Sequence, residues 1–143
     1  MDPDAGGDPN LEFTMTVRIA SVTFDCADAL TVGRFWSAAL GRPLDPNASS
    51  DHASIGFAGR RDTVGWASVE GDNDPTWMFA KVPEPKTAKN RMHLDLMSPD
   101  PEVEVAHLIE LGATRVADMN EYGYKWTVMA DPEGNEFCVA KAR

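Results

Sequence analysis

The chain of 143 residues carries a net charge of −10, with 43% hydrophobic and 25% charged residues, a balance that suits one globular domain with a real core. Its 13 Lys and Arg form no cluster against 23 Asp and Glu, which excludes a nucleic-acid footprint, and no apolar run approaches the roughly 20 residues of a membrane span. The two cysteines, Cys26 and Cys138, are too few for a disulfide scaffold and fit a reducing compartment, so the cytoplasm is the expected location.

Residues 1–14 contain Asp2, Asp4, Asp8 and Glu12, no Lys or Arg, and no periodic pattern. They read as a disordered lead-in or an expression scar ahead of a single domain over 15–143, with Met15 as its natural start. Val17 to Asp25 alternates as a strand. Asp28 is a suitable helix N-cap; Val32, Phe35, Trp36, Ala39 and Leu40 then follow helical spacing, and Gly41 with Pro43 stops the helix. Short strands are expected near Ala53 to Phe57 and Val64 to Val69. Gly71 to Pro75 is a turn, Thr76 to Val82 a further strand, and Pro83 to Asn90 a linker.

The same pattern then repeats. A strand is expected over Arg91 to Met97, Asp100 caps a helix with Pro101 at its first position, Val105, Leu108 and Ile109 form the apolar stripe, and Gly112 stops it. Strands near Thr114 to Asp118, Tyr124 to Ala130 and Glu136 to Ala140 follow, the last two joined through Asp131-Pro132-Glu133-Gly134-Asn135. Asp28 and Asp100 are 72 positions apart, and Gly41 and Gly112 are 71 apart, so one supersecondary unit is used twice. The expected fold is α+β: two β-α-β-β-β modules, about 16–82 and 91–141, forming a curved mixed sheet around a groove with the helices outside. Strand parity assigns Val22/Phe24, Trp77/Phe79, Met92/Leu94/Leu96 and Phe137/Val139 to the helix side. Ser21/Thr23/Asp25, Met78/Ala80/Val82, Arg91/His93/Asp95 and Glu136/Cys138/Ala140 fall on the opposite face.

The segments Phe35-Trp36-Ser37-Ala38-Ala39-Leu40-Gly41, Val82-Pro83-Glu84-Pro85-Lys86, Asn90-Arg91-Met92-His93-Leu94-Asp95-Leu96 and Asp131-Pro132-Glu133-Gly134-Asn135-Glu136-Phe137 resemble the glyoxalase/bleomycin-resistance (vicinal oxygen chelate) superfamily, closest to its glyoxalase-like branch, over roughly 16–141. That fold hosts isomerases, lyases, dioxygenases and drug-sequestering proteins, so the resemblance implies the fold and a small-molecule ligand rather than one activity. In its metal-using members four strands each supply a ligand, and the resemblance maps those positions to Ser21, Ala80, His93 and Cys138. Ser21 is a poor ligand and Ala80 none, so no metal and no cofactor are expected. The resemblance also implies a homodimer.

His93 and Asp95 lie two apart on one strand face. They are read as an acid/base couple for a lyase or isomerase, as two-thirds of an iron triad completed by His52 or His107, or as a groove histidine without metal. Cys138 is a small buried hydrophobe or, beside His93, a nucleophile. A ligand is expected against Ser21, Ala80, His93 and Cys138, with Met78, Met129 and Met97 as adaptable apolar lining, Trp126 or Trp66 as an aromatic wall, and Arg91 available to an anionic group. The alternatives to an enzyme are a sequestering protein of the resistance type and an interaction module with a solvated sheet face.

Overall fold

A computed structural model describes residues 19–57 and 75–142. The lead-in over 1–14, the strand expected at Val64 to Val69 with Trp66, and most of the Gly71 to Pro75 turn lie outside the described residues.

The first module contains β1 (Ser21–Cys26), α1 (Ala29–Leu40), β2 (His52–Ile55) and β3 (Thr76–Lys81). Asp28 accepts the Thr31 amide at 3.1 Å, supplying one of the helix's unpaired first-turn donors. Gly41 ends α1 at φ 65°, a left-handed conformation that costs glycine least. The second module contains β4 (Leu94–Ser98), α2 (Pro101–Leu111), β5 (Thr114–Glu121), β6 (Tyr124–Ala130) and β7 (Glu136–Lys141). Asp100 caps α2 through the Val103 amide, and Pro101 occupies the first turn, where no intrahelical donor is needed.

The strands form two mixed sheets, ordered β1-β3-β2 and β4-β7-β6-β5. In each module the last strand lies parallel to the first, β3 beside β1 and β7 beside β4, while the other pairs are antiparallel. β1 and β4 are therefore edge strands of their sheets. Trp77, Phe79, Phe137 and Val139 are buried, and Phe24, Leu94 and Leu96 pack against them, as the alternation requires. Val32, Phe35 and Trp36 deliver the buried stripe of α1.

The structure departs from the sequence reading in several places. β4 begins at Leu94 rather than Arg91, so Met92 precedes the strand and is 86% exposed instead of facing the helices. β5 runs on to Glu121 and turns through Tyr122 and Gly123, both at positive φ (54° and 79°), a two-residue hairpin whose signal was the Gly after Tyr122. Ile109 is 45% exposed; it sits about 70° around the helix from the centre of the Val105–Leu108 face.

One core serves both modules. Phe137 of β7 meets Trp36 of α1 at 5.0 Å between ring centroids and Phe35 at 6.1 Å, and Trp36 continues to Trp77 at 5.3 Å. The β6–β7 turn reinforces that junction. Asp131 is 3% exposed. Its carboxylate accepts the Glu133 and Asn135 amides, the Asn135 side chain and the Trp36 indole N–H, all at 2.9–3.1 Å. Glu133 accepts the Ala27 and Asp28 amides just ahead of α1, placing negative charge where the helix dipole favours it. Burying a carboxylate is costly unless its lone pairs are used, and here that use fastens the second module to the first helix.

Candidate functional site

Where the edge strands β1 and β4 approach the linker, the chain encloses a cleft of about 430 Å³, a volume in the range of small-molecule sites. One wall is Val22, Thr23, Phe24 and Asp25 of β1 with Trp36 behind; another is His93 and Leu94 at the start of the second module. The linker residues Val82, Glu84, Pro85, Lys86, Asn90 and Met92, with Asn135 and Glu136, complete it. Both modules and the segment joining them contribute, so the cleft exists only in the assembled domain.

Glu136 holds the linker in place. It accepts Lys86 Nζ at 2.8 Å and the Asn90 amide at 3.0 Å, while Asn90 Nδ2 donates to Asn135 Oδ1 at 3.1 Å. Burial works to raise the Glu136 carboxyl, but the hydrogen bonds from Lys86 and the Asn90 amide prevail and hold it at about 2. Lys86 is engaged by Glu136 and by the Ala88 carbonyl. The cleft thus carries Asp25, Glu84 and Glu136 against one Lys.

Of the residues singled out in the sequence, His93 lines this cleft; Ser21, Met78, Ala80, Asp95, Trp126, Met129 and Cys138 do not. The parallel register sets Ser21 opposite Thr76 and Ala80 opposite Asp25, about 13 Å apart along the strands at 3.3 Å per residue. Ser21 and Ala80 therefore do not meet. Met129 pairs with Phe137 and shares its face, so it is fully buried in the helix-side core rather than in a groove. Trp126 pairs with Ala140 and stands on the same face as Cys138. Met78 lies on the face opposite Trp77 and Phe79, level with Thr23. Arg91 and His52 are exposed, as is His107. Sequence reading missed the linker as a wall of the site; the cue was Lys86 and Asn90 placed to reach Glu136.

His93, Asp95 and Cys138 do come together. Asp95 and Cys138 are direct partners across β4 and β7, and His93 Nε2 is 3.4 Å from Asp95 Oδ1. One ligand atom from each lies within 4.8 Å of the other two. Burial first, then the Asp95 carboxylate, pushes the Cys138 thiol upward, with Lys89 pulling the other way. That environment disfavours a thiolate nucleophile. The Cys26 thiol donates to the Ala80 carbonyl and is pushed up to about 11 by burial and then by Glu133, Asp25, Asp28 and Asp131, so it is inert at neutral pH.

The repeat supplies an internal comparison. Asp95 stands five residues before the α2 cap and Thr23 five before the α1 cap, and Thr23 pairs with Met78 as Asp95 pairs with Cys138. His93 corresponds in the same way to Ser21. The second module's imidazole, carboxylate and thiol thus correspond to hydroxyl, hydroxyl and thioether in the first. A metal drawing one ligand from each of four strands does not fit this donor set, because the first module's strands offer Ser21 and Met78 or Ala80 at those places.

The family model for the glyoxalase-like domain matches residues 21–140. No curated protein sequence matches the chain. Among solved structures, a glyoxalase/bleomycin resistance protein/dioxygenase family enzyme from Burkholderia phytofirmans PsJN is 15% identical, with a TM-score of 0.62 over 87% of this chain and 98% of that one. The bleomycin-binding protein of bleomycin-producing Streptomyces verticillus, solved with copper(II)-bleomycin, is 13% identical, with a TM-score of 0.55 over 91% of this chain and all of that one. The fosfomycin resistance protein FosX of Listeria monocytogenes is 10% identical, with a TM-score of 0.62 over 90% and 96%. At these identities the likeness establishes the fold alone. Among the described residues, no helix is long and apolar enough to cross a membrane.

Proposed function

The chain belongs to the glyoxalase-like domain family, and from that premise we propose that it binds a small organic molecule in the cleft between its two modules. The observation that carries this reading is the 430 Å³ cleft itself, walled by β1, by the start of the second module and by the linker. Its apolar surface comes from Val22, Phe24, Trp36, Val82, Pro85, Met92 and Leu94, which suits a ligand held by shape with few orienting polar contacts. The excess of Asp25, Glu84 and Glu136 over Lys86 favours a neutral or cationic ligand over an anion. The bleomycin-binding and fosfomycin-resistance proteins of the same fold support a small-molecule role.

A second reading makes the protein a lyase or isomerase, with His93 as the proton-transferring group. It is favoured by the 3.4 Å approach of His93 Nε2 to Asp95, since a carboxylate orients an imidazole for acid/base work. A thermal-shift screen of small aromatic, amine and dicarbonyl compounds separates the two. A compound that stabilises wild-type protein and is recovered unchanged supports binding alone, whereas one converted by wild type and not by His93→Ala supports catalysis. The sheet edge at β5 needs cover, which supports a homodimer; sedimentation of a monomer at high concentration argues against it.

A further inference from the structure

We propose, resting on the cleft reading above, that the ligand of the cleft is a short peptide in extended conformation. It is held as an added strand along the free edge of β1 and carries a cationic side chain at its centre.

The cleft wall is a strand edge rather than a sheet face. Side chains of an extended chain alternate between faces, so one face contributes every second residue. Here four consecutive residues of β1, Val22, Thr23, Phe24 and Asp25, line the cleft, as do Met92, His93 and Leu94 where β4 begins. Among the described residues, β1 pairs only with β3 and β4 only with β7, so neither has a neighbouring strand on its other side. The hydrogen bonds identify the groups on that side. The Ala20 carbonyl accepts the Thr76 amide at 3.1 Å and the Cys26 carbonyl accepts the Val82 amide at 2.9 Å, which turns alternate residues from Ala20 to Cys26 toward β3. The N–H and C=O groups of Thr23 and Asp25 therefore point outward. On β4 the Ser98 carbonyl accepts the Ala142 amide at 2.8 Å, and the same alternation turns Leu94 toward β7 and leaves Asp95 outward, with His93 before it. Such a row of outward donors and acceptors is a template for another extended chain. From Val22 to Asp25 it runs about 10 Å at about 3.3 Å per residue, room for three added residues.

The two sides of that edge differ in chemistry. Phe24, Trp36 and Leu94 belong to the apolar helix side, whereas Thr23, Asp25 and His93 stand on the other. An added strand puts its first and third side chains on one face and its second on the opposite face. An apolar-cationic-apolar order therefore fits, with the ends against Phe24 and Leu94 and the centre beside Asp25. The sign of the central charge follows from what is left uncompensated. Lys86 is paired with Glu136 at 2.8 Å, so Asp25 and Glu84 leave the cleft negative. A rigid aromatic compound of the same volume covers the apolar side but offers no matched donors and acceptors to the strand edge, and the peptide does.

The test titrates isotope-labelled protein with acetyl-Val-Lys-Val amide and follows the backbone amide shifts by NMR. Saturable binding is expected, with the Thr23 and Asp25 amides moving downfield as they gain acceptors. Two depsipeptides, with an ester oxygen in place of the Lys N–H or of the second Val N–H, keep every side chain. At least one should bind about three- to tenfold more weakly, the effect of one hydrogen bond. Gln in place of Lys weakens binding by about two- to fivefold, the range of an exposed ion pair, and Asp25→Asn removes that difference. No saturable binding, two esters as tight as the amide, or equal affinity for the Lys and Gln peptides overturns the proposal. The ester and Gln comparisons use wild-type protein and so do not depend on any variant folding. If the peptide fails while a compound from the thermal-shift screen binds and is excluded by Thr23→Trp, the peptide class falls and the cleft reading stands. If the peptide binds Thr23→Trp as it binds wild type, its site is elsewhere and the proposal falls.

Discussion

The Trp36 indole nitrogen donates to the Asp131 carboxylate at 3.0 Å across 95 positions of sequence. The bond joins the first module's helix to the second module's final turn, and the same carboxylate organises that turn by accepting three further donors. Asp131→Asn keeps the shape but turns one acceptor into a donor facing donors. It is expected to cost on the order of 3 kcal/mol, since buried donors are left unpaired. Trp36→Phe removes one hydrogen bond and some volume, at about 1–3 kcal/mol. Urea unfolding of the singles and the double should show a coupling of about 1 kcal/mol. Strict additivity refutes the clamp.

Glu136 makes stability depend on acid. Its carboxyl ionises at about 2 in the folded protein against an ordinary 4.5. A depressed folded value means that the unfolded chain takes up the proton first. The contribution is complete above about pH 4.5 and is lost as pH falls toward about 2. With the side chain 18% exposed, the linkage amounts to about 2–3 kcal/mol. Glu136→Gln should therefore flatten the fall in urea midpoint over that window relative to wild type. Parallel profiles for the two proteins contradict the Lys86–Glu136–Asn90 tether.

Gly33 sits on the buried face of α1, where an added Cβ meets Ala53 Cβ at 3.1 Å, Leu44 Cδ2 at 3.3 Å and Phe79 Cδ2 at 3.4 Å. Alanine gains about 1 kcal/mol of helix propensity and spends much of it on that contact, so Gly33→Ala should change stability by less than about 1 kcal/mol. Gly33→Val adds two more carbons in the same space and is expected to cost about 2–3 kcal/mol by overpacking. A well-tolerated valine would show that α1 lies farther from β2 and β3 than described.

Local rules made much of the fold legible. Asp28 with Gly41 and Asp100 with Gly112 bracket the helices because capping depends on residues within one turn. The Phe137/Val139 alternation identified the helix side because one face of a strand must be buried. What escaped depends on partners far along the chain. Met92 left the core because β4 starts only at Leu94, after a linker tied down by Glu136, 46 positions beyond Asn90. Met129, expected as groove lining, is buried beside Phe137, a placement that depends on the β6–β7 register. The site was half legible: the H-x-D spacing and Cys138 marked the trio, but that Met78 rather than Ala80 is the counterpart of Cys138 follows from the β1–β3 register.

The cleft and the strand positions first expected to hold a ligand make opposite predictions about two substitutions. Thr23 is exposed and lines the cleft, whereas Ala80, two residues along β3 from Met78, lies outside it. Thr23→Trp puts an indole at the β1 wall and should block the cleft, leaving the helix-side core untouched. Ala80→Trp adds the same bulk outside the cleft lining, beside Asp25 across the β1–β3 pair, and should leave binding intact. A ligand at 100 times its Kd stabilises wild type by about 2.7 kcal/mol, a shift readily seen in thermal unfolding. With the best compound from the screen, that shift should persist in Ala80→Trp and vanish in Thr23→Trp, while the unliganded melting temperatures stay close to wild type. The reverse pattern moves the ligand to the strand positions around Ala80 and removes the cleft from the argument.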